Sequence, residues 1–322
     1  MSPARKAIIA LIVANIIWGF ASPIFKWSLT GTLPLFTLAF LRFFIGALCM
    51  VVFLLITKQL QMPRMKIRDW WLLIFYTFTA ITINIIFFFL GLERTLSINA
   101  PVIASAQPII IFFIAPFLLG EVISKRKAFG MGIGTIGILA IVLEPLILQG
   151  PDGTILGNLF LMIATFGAVI GTLIGRVLFP RHNVLNLTLW AFIIGALSFL
   201  PFATYDLGIN PTLYQHIDFR GFVGIIYGAV FCTAIAYTCF CWGLSKIQAS
   251  EVSMFTYVDP IAGTVLSYFM LHEPITIPFI LGAVLIFGGI YIAEGRIHYH
   301  PLHRLTGHLI ADPDCKTCKT SS

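Results

Sequence analysis

Ten long apolar runs, separated by short polar links, organise the chain. They cover 7–26, 33–56, 70–90, 100–119, 129–148, 155–178, 184–203, 221–244, 252–271 and 278–294. None shows the strict alternation of a half-buried strand. Each has about 20 residues, enough for a helix to cross roughly 30 Å of hydrocarbon. Uniform apolarity does not fit a barrel strand, whose lumen face is polar. The pattern therefore predicts an all-α membrane protein of ten transmembrane helices. Links such as Ser28–Thr32 leave no room for a soluble domain between spans. The first run follows Arg5-Lys6, lacks a small-residue cleavage site and leads into Lys26. It is expected to stay as a span rather than leave as a signal peptide.

The runs also repeat. At an offset of 152 residues, Gly91-Leu92 returns as Gly243-Leu244, Pro108-Ile109 as Pro260-Ile261 and Glu121 as Glu273. Gly130 returns as Gly282 and Gly137-Ile138 as Gly289-Ile290. The offset pairs the third span with the eighth, the fourth with the ninth and the fifth with the tenth. A shift by five spans inverts topology, so the halves are expected to be inverted repeats, 5–148 and 155–296, with a tail at 297–322. Such repeats commonly build a path between their two halves.

Composition agrees. Hydrophobic residues make up 59% and charged residues 10% of 322, against about 25% charge in soluble domains. Mean hydropathy is +0.97. The formal charge of +7 is distributed as a membrane protein's would be. With the N-terminus inside, sixteen Lys and Arg lie on the inner side. Lys26, Arg94 and Arg220 lie outside, and Arg42 lies within a span. That bias predicts a multi-pass protein of the cytoplasmic membrane with both termini cytoplasmic. The basic charge marks the inner leaflet, and no nucleic-acid partner is expected.

Polar groups within spans are costly and usually face a cavity or a partner. Arg42 is either an anion-attracting group near a path or a structural post that bonds backbone or snorkels. Asp259, before Pro260, is costly in its ionised form at that depth, and a proton-coupled carrier uses such a group. It is also open to being a satisfied carboxylate at a helix break, or a partner of Arg42. Its repeat twin is Gln107, which cannot titrate. Asn84, Trp18, Tyr237, Trp242 and Tyr257 complete the candidate cavity residues. Tyr and Trp supply flat apolar area with one hydrogen-bonding tip, which suits aromatic or amphipathic solutes. Trp70, Trp71 and Trp190 near span ends fit an interface belt. Phe87–Phe89 fit packing or lipid contact.

Other patterns carry less. Gly132-Ile133-Gly134-Thr135-Ile136-Gly137 spells a dinucleotide fingerprint, but inside an apolar helix rather than after a strand. Gly130/Gly134 and Gly167/Gly171/Gly175 suit close helix packing instead. Asn186-Leu187-Thr188 is a glycosylation sequon by letters, on the expected inner side. There is no Walker motif, Ser/His/Asp constellation or H-E-x-x-H, so neither an enzyme nor a cofactor is expected. In the tail, His298, His300, His303 and His308 precede Cys315-Lys316-Thr317-Cys318. One C-x-x-C is a weak metal signal, and cytoplasmic thiols stay reduced. A flexible basic tail is the expectation. Cys49, Cys232, Cys239 and Cys241 read as small core residues.

Residues 5–296 resemble the drug/metabolite transporter superfamily, specifically its ten-helix EamA branch. The resemblance rests on Trp18-Gly19 with Pro23, on Leu41-Arg42-Phe43, and on Thr233-Ala234-Ile235-Ala236-Tyr237 with Trp242-Gly243-Leu244. It rests also on Pro108 with Leu119-Gly120-Glu121, and on Asp259-Pro260 with Leu271-His272-Glu273. The second half departs from the pattern, with Ile170-Gly171 where the first has Trp18-Gly19. The resemblance implies a carrier of a small organic metabolite, amino-acid-like or amphipathic and aromatic. It would work by alternating access, more often outward, without covalent chemistry. A proton is a candidate coupling ion. Uptake by the same fold, and a lipid-handling or sensing membrane protein, are the alternatives.

Overall fold

The computed structural model describes residues 3–107, 110–111, 114, 125–148, 153–212, 217–246, 252 and 254–294. Pro108, Leu119-Gly120-Glu121 and the His/Cys tail lie outside the described residues. Among those described, every regular element is helical and no strand is present. The helices are α1 (Pro3–Leu29), α2 (Leu35–Ile56), α3 (Ile67–Arg94), α4 (Asn99–Ala104) and α5 (Lys125–Leu148). They continue as α6 (Gly153–Leu178), α7 (Val184–Ile209), α8 (Phe219–Lys246), α9 (Val258–Leu271) and α10 (Ile277–Glu294). Six of them, α1, α2, α3, α6, α7 and α8, are long and apolar enough to cross a membrane. The chain is thus a multi-pass membrane protein.

Helix ends depart from the apolar runs where polar groups find partners. The seventh run ends at 203, yet α7 continues to Ile209. Thr37 donates to Asp206 Oδ2 through its backbone N–H (3.2 Å) and its hydroxyl (2.9 Å). The carboxylate thus caps the first turn of α2, and α7 extends far enough to supply it. The ninth run starts at 252, but a 3-10 turn over Met254–Tyr257 precedes α9. Pro260 in the first turn of α9 has no need of an intrahelical donor.

Two helices change winding midway. α3 contains a π segment at Phe78–Ile83 and α8 one at Tyr227–Tyr237. These occupy corresponding stretches of the two repeats.

Packing pairs α5 with α10, α2 with α7, α3 with α6, and α1 with both α8 and α9. The α5–α10 contact is made through glycines. A Cβ added to Gly137 would stand 2.6 Å from Gly282 O and 2.8 Å from Ile286 N. One added to Gly289 would stand 2.5 Å from both Gly130 O and Gly134 N. Backbone therefore meets backbone, as small residues permit between membrane helices. Gly167 and Gly171 pack in the same way on Thr79 and Ala80 of α3, and Gly175 against Phe179 and Leu244. On α1, Gly19 faces the backbone of Asp259, and Gly263 of α9 faces Gly19 O. Pro23 removes the donor that would otherwise bond Gly19 O within the helix.

Candidate functional site

A cavity of about 140 Å³ lies among α1, α2, α3, α4, α6, α8 and α9. The crossing of α1 and α9 at Gly19 brings Trp18 and Asp259 to it together. Arg42 arrives from α2, Asn84 from α3 just beyond the π segment, Gln107 from beyond α4 and Tyr237 from the end of the α8 π segment. These six sequence candidates line one space. The twins Gln107 and Asp259 thus face the same cavity. Trp242 lies farther along α8, half-buried and outside the lining. Tyr257 also lies outside it, its ring edge-on to Phe287 at 5.9 Å.

The walls are aromatic and held in place. Trp18 stands edge-on to Tyr237 and tilted to Phe240, both at 5.1 Å. Its indole N–H donates to Cys232 O at 3.2 Å, and the Tyr237 hydroxyl donates to Ala80 O at 3.2 Å. Both carbonyls belong to the π segments. A π turn disturbs the regular α-helical ladder, and cavity side chains bond the carbonyls there. The Asn84 amide donates to Ala164 O at 2.8 Å, tying α3 to α6.

Two ionisable side chains meet this space. Arg42 is 3% exposed. Its Nε donates to Thr233 Oγ1 at 2.9 Å. Its guanidinium lies 5.2 Å from the Phe25 and Phe43 ring centres and 5.9 Å from that of Tyr237. Such faces stabilise a desolvated cation by about 0.5–2 kcal/mol each. Asp259 is buried, and its Oδ1 has no hydrogen-bond partner among the described residues. No ion pair joins Arg42 to Asp259 within 4.0 Å. A second orphan on the lining is the buried Ser22 Oγ. An unsatisfied buried polar atom costs about 1–3 kcal/mol, and an incoming polar group would relieve it.

Sequence reasoning passed over Ser22, Phe25, Tyr76, Thr172 and Thr256, which also line the cavity. Ser22 lies one turn after Trp18 on the same face, a signal that helical spacing did carry. Among Phe87–Phe89, Phe88 lines the cavity and Phe89 is wholly buried. Trp70 and Trp190 pack edge-to-face at 5.3 Å, while Trp71 is exposed. The Asn186 amide donates to Gln59 O, and its oxygen accepts from the Gln61 N–H. Cys232 and Cys241 are buried core residues, and Cys49 and Cys239 are half-buried. Among the described residues no cluster of His, Cys, Asp and Glu could hold a metal ion.

Comparison with known proteins places this geometry in context. The model of the EamA-like transporter family matches residues 5–143 and again 155–294. The chain is 27% identical over 264 residues to the "Uncharacterized transporter YetK" of Bacillus subtilis (strain 168), covering 81% of this chain and 78% of that one. It is 24% identical over 297 residues to the "Probable amino-acid metabolite efflux pump" of Escherichia coli (strain K12), covering 89% and 94%. A solved crystal structure is similar with a TM-score of 0.63 at 16% identity, over 89% of this chain and 96% of that one. That likeness concerns fold alone.

Proposed function

The chain belongs to the EamA-like transporter family, and from that premise we propose that it exports a small amphipathic, amino-acid-like metabolite by alternating access. Membrane transport follows from the family. The solute class rests on one observation above the rest: Arg42 and Asp259 line the same cavity without pairing. A zwitterion offers each of them a partner, its carboxylate to Arg42 and its ammonium to Asp259 Oδ1. Trp18, Phe25, Phe88 and Tyr237 give an apolar side chain flat surfaces to lie against. The outward direction leans on the similarity to the Escherichia coli efflux pump.

The alternating-access mechanism is supported by exchange symmetry. Adding 152 to a residue of the first half, or subtracting it in the second, turns the Gly137 contacts with Gly282 O and Ile286 N into those of Gly289 with Gly130 O and Gly134 N. The helix pairs obey the same swap: α3–α6 becomes α8–α1, and α1–α9 becomes α6–α4. Gly130 meets Gly289 while Gly137 meets Gly282, so α5 and α10 run antiparallel. This is what two inverted five-helix repeats, 5–148 and 155–296, require of ten spans. Asp259 is the proposed proton-binding group. The basic bias supports cytoplasmic termini and the cytoplasmic membrane.

Full-length protein in liposomes preloaded with L-phenylalanine should exchange it for external labelled L-phenylalanine faster than protein-free vesicles do. Exchange of uncharged or singly charged metabolites but of no zwitterion would overturn the solute class. Exchange of nothing across a broad metabolite panel would sink the carrier itself.

A further inference from the structure

Away from the cavity, one buried polar seam joins the two halves. The link between α3 and α4, Thr95–Ile98, and the first residue of α4, Asn99, are gripped from several sides. Glu273, just after α9, is 6% exposed. Its Oε1 accepts from the Ser97 N–H at 2.8 Å, and its Oε2 accepts from the Ile98 N–H and the Ser97 hydroxyl, each at 2.9 Å. The Ser97 and Ser267 hydroxyls lie 2.9 Å apart. Asn158 of α6 accepts at Oδ1 from Thr95 Oγ1 at 2.7 Å and from the Asn99 amide at 3.2 Å.

Two other ties near helix ends stay within one half. Lys26, ending α1, donates to Leu92 O and Thr95 O. Arg176, ending α6, donates to Leu244 O. Leu92 and Leu244 are repeat twins, and Lys26 and Arg176 lie 150 apart. Each repeat therefore has a basic residue fastening the end of its first helix to that of its third. Such intra-half clamps can persist while the halves move. The Glu273 bonds cross between halves and cannot.

We propose that Glu273 is a positioning residue of the transport cycle, holding one end of the path shut by bonding the start of α4 to the end of α9. Both helices line the cavity, through Ala100, Pro101 and Ala104 on one and Asp259 on the other. They cannot part at this end until the Ser97 and Ile98 bonds break. Both carboxylate oxygens accept from N–H or O–H donors at 2.8–2.9 Å, which makes the closed seam firm. Three donors released together make its opening a discrete event rather than a gradual loosening.

The consequence for transport rests on the carrier proposed above, but the opening can be measured without any solute. In full-length protein in nanodiscs, with native cysteines replaced, spin labels at Glu93→Cys and Ile275→Cys flank the seam on exposed positions. The parent should give one short, narrow distance distribution. Glu273→Gln should raise a longer population at least about tenfold, and Glu273→Asp should raise it less. Ser97→Ala, which removes one donor of three, should shift it the same way more weakly. An unchanged distribution in both Glu273→Gln and Ser97→Ala overturns the proposal. So does a failure of both variants to fold, which would make the seam a static brace. Because L-phenylalanine flux does not enter this measurement, failure of the carrier assay remains a separate result.

Discussion

Replacing glycine by alanine along the α5–α10 contact provides an internally controlled test of the repeat symmetry. Ordinary Cβ contacts begin at 3.4 Å. The Cβ of Gly137→Ala would stand 2.6 Å from Gly282 O, and that of Gly289→Ala 2.5 Å from Gly130 O. Backbone carbonyls cannot swing aside as a flexible side chain can. The helices must therefore separate by most of an ångström. A gap of 0.5–1 Å forfeits a quarter to a half of the dispersion well for each facing pair. Overpacking of this kind costs about 1–3 kcal/mol. Gly132 and Gly288 lie on the same two helices, but an added Cβ meets nothing within 4 Å. There alanine should be neutral, or stabilising by up to about 1 kcal/mol through helix propensity. The assay is the midpoint of thermal aggregation of detergent-solubilised protein, read by size-exclusion chromatography after heating. Gly137→Ala and Gly289→Ala should lower the midpoint by similar amounts, while Gly132→Ala and Gly288→Ala should not lower it. If Gly132→Ala proves as harmful as Gly137→Ala, the packing argument is wrong. If only one of the twins destabilises, the exchange symmetry is wrong.

Three further outcomes are expected. A reporter fused after Ser322 should be active only in the cytoplasm; activity on the other face would reverse the orientation drawn from the basic residues. Arg42→Lys keeps the charge but loses the planar group that reaches Thr233 and lies near three rings, so folded yield and flux should fall together, at a stability cost of about 1.5–3 kcal/mol; normal yield with altered solute preference would make Arg42 a pure binding group. Asp259→Asn keeps the shape but cannot titrate, so it should abolish uphill flux driven by a proton gradient while sparing exchange at equal pH, and continued accumulation against a gradient would remove Asp259 from coupling.

The hydrophobic pattern located the six long helices well because burial in lipid imposes one rule on every residue of a span. Boundaries failed where a single polar contact overruled that pattern, as when Asp206 carries α7 onward to meet Thr37. The two π segments were not legible. They depend on distant donors, the Trp18 indole for Cys232 O and the Tyr237 hydroxyl for Ala80 O, and no local propensity encodes those. The cavity was half legible. Charge and amide groups inside apolar runs have few places to go, so Arg42, Asn84, Gln107 and Asp259 do meet. Aromatic residues carry no such compulsion, so Trp242 and Tyr257 could sit anywhere on their helices and lie elsewhere.

Glu273 shows where pattern and geometry complement each other. In sequence it is only a mark that repeats Glu121, at a helix end where a carboxylate would ordinarily face water. Its burial against three donors from the other half is visible only in three dimensions. In the inverted-repeat carrier proposed above, the sequence offset pairs Glu273 with Glu121. A carrier that alternates needs the seam at one end to be firm only while the other is free. A carboxylate whose hydrogen bonds run to backbone and hydroxyl donors meets that need, because each bond can be replaced by water, and the nearby Lys26 ammonium, which feels the Glu273 charge, keeps its own partners Leu92 O and Thr95 O. A buried ion pair at the same place would be far harder to part, since separating it strands two charges at once.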